Sequence, residues 1–172
     1  LTITINPVND APVITITPPA QIIEDTPVSL QISVDDAEIN DGVQWTATLH
    51  STVGTFTVLT GINGGVPEER ITDNGMGTVV LTGTGTEIKT TLEQTDGVIF
   101  QGNKDFATSG QLSLTILDSG PDPVATDDDE TTLAVLNFTV SGVNDAPEIV
   151  IPVQYTVNED TSVSIEGPGN LQ

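Results

Sequence analysis

Along much of the chain, apolar and polar residues alternate with a period of two, the signature of strands that bury one face. Val28, Leu30, Ile32 and Val34 alternate with Ser29, Gln31 and Ser33, and Leu112, Leu114 and Ile116 alternate with Ser113 and Thr115. Val43, Trp45, Ala47 and Leu49 repeat the pattern, which puts the single Trp at the centre of a strand and makes it the expected largest block of the core. Shorter runs predict strands over 1–5, 13–16, 21–23, 55–59, 78–82, 98–100 and 132–141, with turns at Asn63-Gly64-Gly65 and Asn74-Gly75. One segment breaks the period. Thr84-Gly85-Thr86-Glu87 fits a capping box and Ile88 and Leu92 lie four apart, which predicts a short helix over 86–94. About seven to nine strands joined by short connections, with that one helix, favour an all-β antiparallel β-sandwich over a barrel.

A second regularity operates on a longer scale. Val8-Asn9-Asp10-Ala11-Pro12 recurs as Val143-Asn144-Asp145-Ala146-Pro147, and the agreement extends to Ile14/Ile149, Ile16/Ile151, Glu24-Asp25-Thr26/Glu159-Asp160-Thr161 and Val28-Ser29/Val163-Ser164. Self-similarity at a fixed period marks an array, here of domain-sized units. It predicts one whole repeat over 8–144, the last strand of a preceding repeat over 1–7, and the first strands of a following one over 145–172. The Asn-Asp-Ala-Pro joint is stiff and extended, because proline fixes its own backbone and restricts the residue before it.

Composition narrows the function. Three basic residues against 25 acidic ones give a formal charge of −22, which excludes nucleic acid as a partner, since phosphate binding needs Lys and Arg. Without cysteine there is no disulfide framework, zinc-thiolate site or thiol nucleophile. No apolar run approaches the roughly 18 residues a helix needs to cross a bilayer, so no membrane insertion by this chain is expected. His50, the only histidine, is expected on a surface turn at a strand end, and no nucleophile motif surrounds any Ser. No pair of acids is singled out as an acid and base, so catalysis is not expected.

The acids either solvate a surface in salty surroundings or are gathered to hold divalent metal. Only the second reading accounts for their recurrence at matched positions beside Asn and Pro. Following strand direction by parity sorts them into two ends. Asn9, Asp10, Asp36, Glu38 and Asp118 fall at the end marked by Pro12, and Glu24, Asp105, Asn144 and Asp145 fall at the other. Clustered carboxylates are costly without a cation, and Ca²⁺ takes six to eight oxygens from carboxylates, amides and carbonyls in loose geometry. The same Asn and Asp residues could instead bond their own backbone as Asx turns.

The Asn-Asp-Ala-Pro linker, Glu24, Asp36-Ala37-Glu38 and Leu117-Asp118-Ser119-Gly120-Pro121 together resemble cadherin repeats. More closely, they are similar to the cadherin-like tandem repeats of large bacterial surface adhesins, many of them RTX-type and secreted by type I systems. The resemblance covers the whole chain, with 51–100 matching loosely. It implies an Ig- and cadherin-like sandwich, Ca²⁺ held between successive domains by the residues just named, and neighbouring repeats of the same polypeptide as partners. It further implies an extracellular, cell-surface location and a role extending an adhesin, with any cell-surface or glycan ligand met elsewhere in the parent protein. The alternative is a carbohydrate- or peptide-binding sandwich with its site in the longer 51–100 region, where loops of such folds usually bind.

Overall fold

The computed structural model describes residues 9–37, 39, 42–120, 129–147 and 158–160. The expected strand over 1–5, Glu38 and most of the 145–172 segment lie outside the described residues. What is described is mostly β-strand with one short helix, in two facing layers.

The first layer is built on the 28–34 alternation, which the structure divides between two partners. β1 (Val13–Thr17) pairs with β4 (Gln31–Asp35), while β3 (Val28–Ser29), β6 (Gly54–Val58) and β9 (Val98–Gly102) form the order β3-β9-β6. The second layer adds β2 (Ile22–Ile23), β5 (Gln44–Ser51), β7 (Ile71–Thr72), β8 (Thr78–Thr84), β10 (Ser109–Asp118) and β11 (Glu130–Ser141), in the order β2-β11-β10-β5-β8-β7. Between them lie Trp45, Leu49, Leu81, Leu114 and Ile116 from one layer and Leu30, Val34, Phe56 and Phe100 from the other, each at most 1% exposed. Burying each such side chain contributes about 1.5–3 kcal/mol. Phe100 stands 5.3 Å from both Phe56 and Phe138, centroid to centroid, and so ties the layers together.

One pairing departs from the antiparallel expectation. Pro18-Pro19 interrupts the first strand, and beyond it the chain has crossed to the other layer, where β2 pairs with β11 in parallel, Ile22 opposite Val140 and Ile23 opposite Ser141. The first and last strands both run from the Pro12 end to the far end. A first strand carried across the sandwich can therefore only meet the last one in parallel.

The helix α1 (Gly85–Glu93) begins on the expected capping box. Thr84 Oγ1 accepts from the Glu87 N–H at 3.3 Å, and Glu87 Oε2 accepts from the Thr84 N–H at 2.8 Å. Arg70 grips the same carboxylate with both guanidinium ends, at 2.9 and 3.1 Å. Ile88, Thr91 and Leu92 face the core. On the other side Lys89 and Glu93 reach β4: Lys89 Nζ donates to the Val34 carbonyl and Glu93 Oε1 accepts from the Val34 N–H at 2.8 Å. An ion pair thus takes the place of a neighbouring strand. The open side of β6 is closed in the same manner, for the Asn74 side-chain amide accepts from the Val58 N–H at 2.7 Å and donates to its carbonyl at 2.8 Å. Met76 and Gly75 do the same for Phe56 with backbone groups. The extra length of 51–100 is largely spent on covering strand edges, which would otherwise template pairing with other chains.

Candidate metal centre

Strand register assigns the acids to the two ends of the sandwich. At the upper end Val13 opposes Asp35, so Asn9 and Asp10, which precede β1, and Asp36, which follows β4, leave the same sheet together. Asp118 closes β10, opposite Trp45 at the start of β5 and Glu130 at the start of β11. Asp118 is fully buried and its Oδ1 accepts from the Gly120 N–H at 3.0 Å, a tight Asx turn. Asn9 is buried at 8% exposure, Asp36 is half-buried and Asp10 is exposed. Asn9, Asp36 and Asp118 each hold further polar contacts. Glu38 lies outside the described residues.

The lower end is assembled by the β1–β2 strand, the turn after β9 and the linker after β11. Glu24 is only 3% exposed. Its Oε1 accepts from the Val143 N–H at 2.5 Å, which fastens the linker to the domain, while Oε2 is buried with no hydrogen-bond partner. Leaving a buried carboxylate oxygen unsatisfied is costly, and it is the coordination position a hard cation would fill. At the same end of the domain, Asp145 of the linker approaches Asp105. Polar contact with Asp105, then burial, then the charges of Asp105 and Asp25, push the Asp145 carboxyl above its ordinary value, with Lys104 opposing. Carboxylates that approach one another are costly unless a cation neutralises them. Asn144 is exposed.

Asp25 was not among the expected ligands. It has a left-handed backbone (φ 58°), as has Asp105 (φ 59°), and its charge reaches Asp145. The signal was present in the repeat: Asp160, the matching residue of the second copy, is left-handed as well (φ 62°). The two Glu-Asp turns therefore share a conformation that an L residue adopts at some strain, one Asp tolerates better than most.

The oxygen-only donor set at both ends suits Ca²⁺ rather than a softer metal. Of the expected ligands, Glu24, Asp105 and Asp145 lie at the lower end and Asn9, Asp36 and Asp118 at the upper. Among the described residues, however, no three His, Cys, Asp or Glu side chains stand close enough to enclose an ion by themselves. No helix among the described residues is long and apolar enough to cross a membrane. Neither a protein-family model nor a curated protein matches the chain, so the resemblance rests on its own residues.

Proposed function

We propose that the chain is a calcium-rigidified extender repeat of a long extracellular bacterial adhesin, supporting adhesion or biofilm attachment rather than catalysis. The observation that carries this reading is the lower joint, where buried Glu24 holds the linker backbone at Val143 and keeps one oxygen unbonded. The linker's own Asp145 approaches Asp105, which raises its carboxyl above the ordinary value. A cation entering there would neutralise the acids and lock the Asn144–Pro147 segment to the domain. The hinge between 8–144 and the repeat that follows would then stiffen. The upper end would receive the corresponding linker of the repeat before it, and with neighbours present both half-sites would be completed by the adjoining domain.

The alternative of a carbohydrate- or peptide-binding module in 51–100 has little to recommend it. Its two aromatics, Phe56 and Phe100, lie in the core and offer no stacking face, and its loops are committed to the edges of β4 and β6. Extracellular calcium modules bind at about 10⁻⁴–10⁻³ M. Titrating Ca²⁺ by calorimetry into one repeat and into two should give binding in that range, tighter at the completed joint. EDTA should lower the melting temperature and shorten the two-repeat chain in small-angle scattering. If neither quantity changes, the calcium reading fails.

A further inference from the structure

The outward face of the six-stranded sheet is free of charge in a chain that carries −22. By the alternation of buried positions, β5, β8, β10 and β11 turn only Thr, Ser, Gln, Asn, Leu, Val and His50 outward. No Asp, Glu, Lys or Arg stands among them, because the acids have gone to the ends and loops. Two large apolar side chains on this face are left in water: Leu133 is 60% exposed and Val135 45%. Register continues them into neutral cross-strand rows, Leu133 to Thr115 to Thr48 to Val80, and Val135 through Ser113 to His50.

We infer that this face is a lateral contact between two copies of the chain, packed sheet against sheet. Like-charged copies repel wherever their acids approach, and through this face two copies can meet without bringing carboxylates together. β-branched and small hydroxyl side chains suit face-to-face packing of sheets. The absence of any aromatic from the face disfavours a glycan as the occupant. Four strands at about 4.8 Å spacing and about nine residues in length give on the order of 500 Å² per copy, hence about 1,000 Å² per pair. That is the lower bound of a specific interface, so a single contact is weak. Copies carried in tandem would add such contacts along their length, gaining avidity without new chemistry. The contact needs no metal and is independent of the calcium reading.

The salt dependence distinguishes this contact from an ion-pair interface. Added NaCl screens the end-to-end repulsion and leaves the neutral face untouched, so association should strengthen with salt. The test is sedimentation equilibrium in EDTA, at rising NaCl and protein up to about 1 mM. The weight-average mass should climb from 17.9 kDa towards twice that value, more so at high salt. Leu133→Glu with Val135→Glu should abolish the rise while the melting temperature holds; Thr57→Glu on the other layer should leave it intact. Should the double variant fold poorly, Thr48→Glu is the substitute. A mass fixed at the monomer under all conditions, or a dimer indifferent to these substitutions, overturns the inference. So does retention on insoluble cellulose or chitin that the same variants abolish without any dimer forming, which would assign the face to a polysaccharide.

Discussion

Arg70, Lys89 and Lys104 are the only basic side chains available to offset 25 acids, and each is placed where an acid does structural work. Arg70 holds the helix-capping Glu87, Lys89 completes the cover of β4 with Glu93, and Lys104 lies among the acids of the lower joint. Asn74 performs the same task as the Lys89–Glu93 pair without charge. Replacing it by Ala strands the Val58 N–H and carbonyl at the side of a buried strand, and should cost about 1–3 kcal/mol in urea unfolding. Glu24 calls for a substitution whose effect depends on the metal. Glu24→Gln keeps an acceptor for Val143 but removes a buried charge. Without calcium the variant should melt no lower than the wild type; with calcium it should lose most of the ion's stabilisation. Thermal melts with and without Ca²⁺ check both halves, and a variant that gains the full calcium shift would exclude Glu24 as a ligand.

At the scale of elements, α1 is the piece whose stability follows pH most directly. Glu87 lies below its ordinary 4.5 chiefly through the Thr84 N–H; burial offsets part of this and Arg70 adds to it. For Glu93 burial opposes the charged form, but Lys89 and the Val34 N–H outweigh it and the carboxyl is again lowered. Acids lowered on folding give stability that is complete above their unfolded value and is lost as pH falls through the folded one. Wild type should therefore exceed the Glu87→Gln, Glu93→Gln double variant in urea midpoint at neutral pH, and the gap should close below about pH 4.5. The helix itself was legible because its signals are local, a Thr-x-x-Glu box and an i, i+4 apolar pair. The alternating strands and the buried Trp45 were legible for the same reason. The edge covers were not, since nothing near Asn74 or Lys89 in sequence announces that Val58 or Val34 will need a partner. Parity along the strands was enough to sort the acids to two ends. It could not show that Asp145 would meet Asp105, because that contact depends on how a turn and a linker approach one another in space.

For the whole molecule, the crossing at Pro18-Pro19 decides how the domain would bear a load. Tension applied through the two linkers draws β1 and β2 towards the Pro12 end and β11 towards the other. The parallel β2–β11 pair, its extension from Glu24 N–H to the Ser141 carbonyl at 3.1 Å, and the Glu24–Val143 bond therefore lie in shear. Bonds loaded in shear yield together, whereas those of a peeled hairpin yield one at a time. Because Glu24 ends this row, the residue proposed to bind calcium is also the last link of a mechanical clamp. Single-molecule pulling should register a higher rupture force with calcium than with EDTA, and Glu24→Ala should bring the two forces together. If the proposed calcium site forms, the domain would resist tension most in calcium-rich fluid.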